Sequence, residues 1–577
     1  MSDPVSLYGT SQQPAPLERL SHGDVAVTLQ DGALRHLAVR GTEIIRSVAF
    51  LARDRDWGTI VPEIGTISRE QNDALRLTIP MVFRSGDARL DVTVRITLAG
   101  DSLRVEAEGR ATGNFETNRA GFTVLHPIKG VAGAPARVTH ADGSVEDGAF
   151  PALIEPWQPF MDIAALEHRA NGFAVRTAFS GDVFEMEDQR QWGDASFKTY
   201  NRPLALPWPY EIGDGETLSQ SVEITWKADA AAVAPAPDPD HRTARFPEMA
   251  LVLTASDALR LAANPEDFDI VSPQRLLCHV DAAAEPAGPQ IAAFAALQAA
   301  LPEPAYDLEL ICRFAAGESP ADELAAHAAV VATSGLVPAS VFVCPSVDRQ
   351  STPPGSEWPP CPPLDEIHAV AAEAFPDILR GGGMASFFPE LNRKRPPLQH
   401  LAFVSHGLCP IVHAADDISV LKTLETIPHI ARSARAIIGD RAYRIGPATI
   451  AMRQNPYGAR TIPNPEQGRV CMADFDPRHF AAFGAAYALG LATALSPFDV
   501  AVWTPAALYG PRGLLREDGT PSPLAWVLEA LAGCAGKKVI AATIKGGLAR
   551  LAFEDGHEFT ANLTDRMLDG LQPFDWR

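Results

Sequence analysis

The sequence predicts an α/β plus β protein of several domains: an N-terminal antiparallel β-sandwich, a central (β/α)8 barrel of the TIM type, and a small C-terminal β unit. Three observations predict this architecture. Apolar and polar residues alternate with period two up to about residue 226, strand-like runs then alternate with helical stretches, and period-two alternation returns after residue 536. A chain of 577 residues also exceeds what one hydrophobic core usually organises.

The first domain, residues 1–227, is expected to be an antiparallel β-sandwich. Runs such as Val25–Leu29 and Leu90–Leu98 alternate apolar and polar residues, and Asp-Gly or Gly-Asp turns separate neighbouring runs. This pattern is typical of antiparallel strands with one face exposed to water. Residues 228–246 carry closely spaced prolines without periodicity, which predicts a linker.

The second domain, residues 247–535, is expected to form the barrel. Strand-like runs followed by helical stretches indicate parallel strands covered by helices, and eight such runs suit a closed barrel. The candidate strands are Met249–Thr254, Arg275–Val280, Asp307–Cys312, Ser340–Cys344, Asp377–Leu379, Leu401–Val404, Tyr443–Ile450 and Val500–Trp503. The candidate helices are 289–300, 320–334, 364–374, 417–438, 478–494 and 523–533.

No helix is evident between the first two of these strands. A doubly wound open sheet has the same local pattern, but no GxGxxG turn follows an early strand, and the barrel is favoured. Residues 536–577 return to period-two alternation with Gly-Gly and Asp-Gly turns, which predicts the C-terminal β unit.

Composition excludes several classes of partner. The formal net charge of −22 is spread along the chain and repels phosphate backbones and anionic membrane surfaces, so neither nucleic acid nor a membrane is expected as a partner. Seven sparse cysteines suit buried thiols in a reducing compartment. No secretory signal and no long apolar run is evident, and we expect a cytoplasmic protein.

Polar clusters that follow barrel strands are the first candidates for chemistry, because barrel enzymes place their active sites there. The segment RGGGMASFFPELNR, residues 380–393, offers Glu390 as a general acid or base. Arg393 could tune the pKa of Glu390 or hold an oxyanion, and Asn392 could bind substrate. A loop salt bridge would explain the same residues.

A second cluster, SHGLCPIVHAADD, contains His406 and His413. Histidine changes charge near neutral pH, and a neighbouring acid can fix its tautomer, so both are candidate catalytic residues. Asp416 or Asp417 could instead be the N-cap of the next helix. No HExxH spacing is present; no cofactor is expected, although a divalent metal held by several loops stays open.

The third cluster follows the seventh strand. Arg453, Asn455 and Tyr457 are suited to holding hydroxyls and an ester or carboxylate oxygen, although Asn-Pro-Tyr-Gly is also ordinary turn sequence. Asp281, at the end of the second strand, is a further candidate for substrate binding.

A fourth cluster lies in the first domain, in the segment GDVFEMEDQRQWGDASFKTY at residues 181–200. Alternation places Glu185 and Glu187 on one face of a strand, where like charges are costly without a neutralising partner such as Lys198. Glu187, Asp188 and Lys198 are therefore candidate substrate-binding residues, while a solvated strand edge is the structural alternative.

Four segments together resemble one known family. GDVFEMEDQRQWGDASFKTY, GGGMASFFPELNR, PIVHAADD and IGPATIAMRQNPYG are similar to segments of the D-apionate lactonases of bacterial apiose catabolism. The resemblance runs from about residue 120 to residue 510. It implies a carboxylic ester hydrolase that opens D-apionolactone, a small sugar lactone, to D-apionate in the cytoplasm. It carries over no catalytic residues.

The residue roles follow from the chemistry of lactone hydrolysis, which needs an activated water, a stabilised oxyanion and a proton for the leaving alkoxide. Glu390 or a histidine of residues 406–413 is the candidate base, and Arg453 or Arg393 the candidate oxyanion ligand. If Glu390 is the base, Glu390→Gln lowers the rate by about 10² or more.

Two other functions are compatible with the sequence. A glycoside hydrolase would need two carboxylates about 5 to 10 Å apart across the sugar. A non-catalytic sugar-binding protein would be stabilised by ligand without turnover.

Overall fold

The computed structural model describes residues 3–229, 244–315, 317–352, 356–458 and 460–577. The predicted fold class is confirmed: the described residues form an N-terminal antiparallel β domain, a closed parallel barrel and a small C-terminal antiparallel sheet. Most of the predicted linker, residues 230–243, lies outside the described residues.

The N-terminal domain is built from antiparallel strands. Eighteen strands join in one connected sheet around an apolar core, and β11 pairs with β19 separately. A short helix, α1 (Pro4–Tyr8), precedes the strands. The strands are β1 (Glu18–His22), β2 (Val25–Gln30), β3 (Ala33–Val39), β4 (Thr42–Arg53), β5 (Thr59–Ile60), β6 (Glu63–Ile64), β7 (Ser68–Gln71), β8 (Leu75–Ser85), β9 (Ala88–Ala99), β10 (Ser102–Thr112), β11 (Phe115–Thr117), β12 (Arg119–Pro127), β13 (Pro135–His140), β14 (Val145–Ala149), β15 (Ile163–Ala170), β16 (Phe173–Ser180), β17 (Phe184–Glu187), β18 (Ser196–Asn201), β19 (Tyr210–Ile212) and β20 (Thr217–Ala228).

The barrel closes in sequence order through parallel pairing, with its last strand returning to its first. Its strands are β21 (Glu248–Leu253), β22 (Arg275–Asp281), β23 (Ala305–Cys312), β24 (Ser340–Pro345), β25 (Leu379–Phe387), β26 (Phe403–Leu408), β27 (Ala442–Ala448) and β28 (Val500–Ala507). Its helices are α2 (Ala255–Ala263), α3 (Ala287–Ala300), α4 (Pro320–Ser334), α5 (Leu364–Ala374), α6 (Phe388–Lys394), α7 (Asp417–Lys422), α8 (Ile427–Ile438), α9 (Ala482–Leu495) and α10 (Pro523–Ala532).

The first crossover differs from the sequence expectation, because α2 does connect β21 to β22. Thr254 caps its first turn, and Asp257 completes a capping box by accepting the Thr254 backbone N–H. The helix has few buried residues, Ala258 and Leu261 among them, and this short apolar stripe explains why periodicity missed it.

The fifth strand also differs, because β25 extends through the glycine triplet that the sequence suggested for a loop. A Cβ at Gly381 would lie 2.1 Å from the Phe403 ring, and one at Gly383 would lie 2.2 Å from the Ser405 carbonyl oxygen. Gly383 also has φ +117°, a conformation that favours glycine. The triplet therefore lets β25 lie close against β26 and sets the position of the following α6.

The C-terminal unit is a three-stranded antiparallel sheet of β29 (Val539–Lys545), β30 (Leu548–Phe553) and β31 (Glu558–Asn562). Its apolar side chains join the hydrophobic core of the barrel. Trp192 and Ile154 of the N-terminal domain belong to the same core, so the segment around Trp192 is anchored on the barrel. Within the described ranges, no helix is long and apolar enough to cross a membrane.

Candidate active site between the N-terminal domain and the barrel

A pocket with a volume of about 70 Å³ lies between the N-terminal domain and the loops that follow the barrel strands. We call it the interdomain pocket; its volume is several times what one water molecule needs. The N-terminal domain lines it with Arg53, Trp57, Arg119, Glu187, Trp192, Lys198, Tyr200 and Leu204. The barrel lines it with Ser351, Arg393, Val412, His413, Tyr457 and Met472. The segment 181–200 therefore reaches the barrel, with four of its side chains in the pocket.

Glu187 and Lys198 form an ion pair across β17 and β18, which pair in register at these two residues. The Trp192 indole N–H also donates to Glu187 Oε1 at 3.0 Å. Against the effect of burial, the positive charge of Lys198 and its hydrogen bond lower the pKa of Glu187 to about 2. Burial lowers the pKa of Lys198, and Glu187 opposes that effect. The pair places a carboxylate and an ammonium side by side at the pocket wall.

His413 forms a bond between the domains. Its Nδ1 lies 2.7 Å from Oδ2 of Asp194, which the segment 181–200 supplies, and its ring meets the Trp192 ring edge-on at a centroid distance of 5.9 Å. Because a carboxylate accepts, Nδ1 carries a proton, and in the neutral ring Nε2 is then the nitrogen with the lone pair. Among the described residues no hydrogen-bond partner lies at Nε2. His413 thus has the orientation of a general base: its ring lines the pocket, and Nε2 is the nitrogen that would accept a proton.

Arg53 and Arg119 lie directly opposite each other, as the last residue of β4 and the first of β12. Arg119 is 6% exposed, and its guanidinium lies over the Tyr200 ring at 3.9 Å from the centroid. Arg53 donates to the Thr59 hydroxyl at 2.5 Å and to the Trp57 carbonyl at 3.4 Å. Burial, with a smaller contribution from Arg119, lowers the pKa of Arg53.

Arg393 lines the pocket from α6, and Glu390 lies behind it. Arg393 donates to Glu390 Oε1 at 2.9 Å, to the Ser351 hydroxyl at 3.0 Å and to the Thr352 carbonyl at 3.2 Å. Glu390 is 2% exposed, and burial raises its pKa in spite of Arg393. Asn392 donates to the Ile154 carbonyl at 3.0 Å and so ties the helix to the N-terminal domain. Glu390 and Asn392 are not lining residues.

Tyr457 faces the pocket with its ring 5.1 Å from the Trp192 ring, and Asn455 shapes the turn that carries it. Asn455 accepts from the Tyr457 backbone N–H at 2.8 Å and donates to the Arg460 carbonyl at 3.0 Å. Burial raises the pKa of Tyr457 well above its usual value, so the phenol stays a hydrogen-bond donor at neutral pH.

The other strand-end candidates form a separate group, which we call the barrel-mouth cluster: His279, Asp281, Glu309, Arg349 and Arg453. Arg453 donates to both oxygens of Glu309, at 2.8 and 3.1 Å, and His279 Nδ1 lies 2.6 Å from Glu309 Oε2. Asp281 is paired with Arg349. None of the five is a lining residue of the interdomain pocket.

Two predicted residues lie inside the protein. His406 is fully buried, with Nε2 2.7 Å from the Tyr443 hydroxyl and Nδ1 2.9 Å from the Gly407 carbonyl oxygen, and burial lowers its pKa to about 4. Asp188 is fully buried and accepts two bonds from Arg190, at 2.8 and 2.7 Å. The structure does not bring either residue to the pocket.

One group of side chains in the described ranges is close enough to share a metal ion: Cys312, Glu323 and His327. Glu323 already accepts the backbone N–H groups of Arg313 and Phe314, both at 2.7 Å. The group lies on β23 and α4 and does not line the interdomain pocket.

Sequence reasoning missed Arg53, Arg119, Asp194 and Tyr200. Asp194 and Tyr200 lie within the segment 181–200, so that motif was the signal for them. Arg53 and Arg119 had no such signal, because an arginine at a strand end is usually solvated.

The comparisons with known proteins agree with the four motifs. Models described as "D-apionate lactonase, N-terminal domain" and "D-apionate lactonase, TIM barrel domain" match residues 5–229 and 249–536. A curated relative, the D-apionate lactonase of Brucella anthropi, is 41% identical over 584 residues, which cover 98% of this chain and 95% of the relative.

Solved structures show weaker likeness. The α-galactosidase AgaA from Geobacillus stearothermophilus aligns at 10% identity and a TM-score of 0.30, over 95% of this chain and 91% of that one. A putative aldose 1-epimerase of Escherichia coli K12 aligns at 12% identity and a TM-score of 0.26, over 37% of this chain and 99% of that one. Scores this low support no conclusion about activity. The family matches cover the N-terminal domain and the barrel almost completely, and the chain therefore belongs to the D-apionate lactonase family.

Proposed function

We propose that this protein hydrolyses D-apionolactone to D-apionate in the interdomain pocket. Membership of the D-apionate lactonase family supports the reaction. One observation supports the location: His413 and Asp194 form a histidine–carboxylate pair in which the ring lines the pocket and Nε2 is unoccupied among the described residues.

The reaction needs one group that takes a proton and returns it. His413 Nε2 accepts a proton from water as the water oxygen attacks the lactone carbonyl carbon, and Asp194 stabilises the resulting imidazolium. When the tetrahedral intermediate collapses, the ring C–O bond breaks and the imidazolium protonates the leaving alkoxide. The new acid ionises at neutral pH, so each turnover releases one proton to solvent.

Cations around the pocket stabilise the oxyanion of the intermediate. Arg393 is the barrel's contribution, and Glu390 and Ser351 hold its guanidinium in place. We therefore assign Glu390 a positioning role. Tyr457, Glu187 and Lys198 are suited to the substrate hydroxyls, since they offer a neutral donor, an acceptor and a charged donor.

A glycoside hydrolase would need two carboxylates that face each other across the sugar. Glu187 is the carboxylate among the lining residues, and it is already paired with Lys198. Asp194 and Glu390 are turned toward His413 and Arg393. This arrangement favours acyl hydrolysis over glycoside cleavage.

We further propose that the enzyme works in the cytoplasm on a small sugar lactone, without a metal, and with neither nucleic acid nor a membrane as partner. The net charge of −22 supports the last point.

A pH-stat assay on a panel of aldonolactones, with and without a chelator, tests this proposal. We expect acid release from D-apionolactone at a rate that the chelator does not change. Absence of acid release alongside ligand-induced thermal stabilisation would instead indicate a sugar-binding protein. Loss of activity with the chelator would contradict the metal-free reaction.

A further inference from the structure

Arg119 is a buried cation that forms no ion pair among the described residues. Its side chain contacts two rings, Tyr200 at 3.9 Å and Trp57 at 5.2 Å from the centroids. Its Nε is buried and has no hydrogen-bond partner among the described residues. A buried guanidinium without a partner is costly, because its desolvation is not compensated.

The neighbouring strand increases that cost. Arg53 lies directly opposite Arg119, and like charges in such a cross-strand pair repel each other. Hydroxyl and carbonyl oxygens accept from Arg53, but within the described ranges no carboxylate forms an ion pair with either arginine. Four cationic side chains line the pocket. Lys198 pairs with Glu187 and Arg393 pairs with Glu390, so Arg53 and Arg119 are the two that form no ion pair among the described residues.

On other strands of the N-terminal domain, arginines are paired with acids even where water would solvate them. Arg84 pairs with Glu63, Arg104 with Glu106 and Arg137 with Asp147, and all three arginines are exposed. Many exposed arginines of the domain are thus paired with acids, whereas the two arginines at the pocket, of which Arg119 is only 6% exposed, form no ion pair among the described residues. An external anion that completes the pair explains this difference.

We infer that Arg53 and Arg119 form a subsite for the carboxylate of a small, open-chain hydroxy acid. The planar guanidinium matches a carboxylate through paired N–H···O bonds, and the Trp57 and Tyr200 rings hold Arg119 in a fixed plane. The inference rests on the proposed function, which releases such an anion in this pocket. It goes further in predicting that the charged acid binds more tightly than the neutral lactone and inhibits competitively.

Equilibrium binding tests the subsite without turnover. Erythronate, a four-carbon open-chain hydroxy acid, is titrated into the full chain, and its uncharged amide is the matched ligand. Trp57 and Trp192 line the pocket, so quenching of tryptophan fluorescence reports occupancy, and calorimetry provides a second readout. We expect erythronate to bind at least about tenfold more tightly than the amide. We expect Arg119→Gln and Arg53→Gln each to weaken erythronate about tenfold or more and to leave the amide unchanged.

The exposed Arg137→Gln is the control and keeps full affinity for erythronate. If Arg119→Gln does not fold, Arg119→Lys serves, with partial affinity expected because lysine keeps the charge and loses the planar fork. Equal binding of erythronate and its amide, unchanged affinity in the variants, or tighter binding of inorganic phosphate would each overturn the inference. The two proposals separate in the pH-stat: tight erythronate binding without lactone opening contradicts the proposed function alone, and lactone opening without preference for the anion contradicts the subsite alone.

Discussion

The barrel-mouth cluster and the interdomain pocket contain similar residue types, but the charged side chains are paired with one another in the cluster and only partly paired in the pocket. In the cluster, Glu309 lies between Arg453 and His279, and Asp281 is paired with Arg349, so the charges satisfy one another. In the pocket, Arg53 and Arg119 lie together and form no ion pair with a carboxylate among the described residues, and His413 Nε2 has no hydrogen-bond partner there. A cluster in which every charge is paired contributes to folding, whereas a pocket with unpaired charges needs a ligand to pair them. Position at a strand end, which the sequence reveals, does not distinguish the two.

The largest effect is expected from the base. His413→Asn keeps a polar group near Asp194 and removes the proton acceptor, so kcat for lactone hydrolysis should fall by about 10² to 10⁴. The pH-stat rate measures this, with the exposed His557→Asn as the control that stays at the normal rate. Turnover within a factor of about three of normal would place the reaction outside the interdomain pocket.

In the barrel-mouth cluster, Arg453→Met should affect the unfolding free energy. Glu309 would lose its bidentate partner while 5% exposed, and breaking such a buried pair costs about 3 to 5 kcal/mol of unfolding free energy. Urea unfolding measures the loss, and the exposed Arg550→Met, which loses its pair with Asp569, should cost less than about 1 kcal/mol. Normal stability in Arg453→Met would mean that the ion pairs of the barrel-mouth cluster do not stabilise the fold.

Acid should destabilise both regions. Glu187 and Glu309 each have a pKa of about 2 in the folded protein, below the ordinary value of 4.5. Unfolded chains therefore take up protons first as the pH falls, and this stability is present above pH 4.5 and lost toward pH 2. Each group should contribute up to about 3 kcal/mol. In Glu309→Gln, the difference in unfolding free energy between pH 5 and pH 3 should shrink by about 2 kcal/mol, because the rest of the contribution is lost only below pH 3.

A smaller effect is expected from Glu390→Gln. The amide keeps the volume of Glu390 and loses the charge that positions Arg393, so the rate of hydrolysis should fall by about tenfold. We expect KM to change, whereas the pH profile should keep its shape. A fall of about 10² or more, together with loss of the acidic limb of the profile, would make Glu390 the base that sequence reasoning preferred.

The smallest expected effect is on the stability of Arg119→Met, and it tests the contrast between the pocket and the cluster most directly. Removing an unpaired buried charge should leave the unfolding free energy unchanged or raise it by up to about 1 kcal/mol, in contrast to Arg453→Met. Thermal unfolding without ligand measures it. A loss of about 2 kcal/mol or more would show that Arg119 stabilises the fold through its rings.

Sequence periodicity predicted the barrel because each strand and helix carries its own local pattern, as in β22, β23 and β28. The sequence also offered Arg190 and Lys198 as cations that neutralise Glu185 and Glu187, and the register of β17 and β18 places Lys198 opposite Glu187. It could not predict that Asp194 reaches His413, because 219 residues separate them and only domain packing brings them together. Nor could it show that His406 is buried and His413 lines the pocket. The sequence predicted this strand to end at Val404, whereas β26 extends to Leu408 and includes His406.

The proposed site takes His413 from the barrel and its partner Asp194 from the N-terminal domain. Hydrogen bonds such as Asn392 to the Ile154 carbonyl and Arg190 to His429, at 3.0 and 2.9 Å, hold these surfaces in register. Heat that loosens these contacts, including those of Trp192 and Ile154 with the barrel core, would separate His413 from Asp194 before either domain unfolds. We therefore expect reversible thermal inactivation to precede the main melting transition, so that the working temperature of the enzyme is set by docking rather than by unfolding.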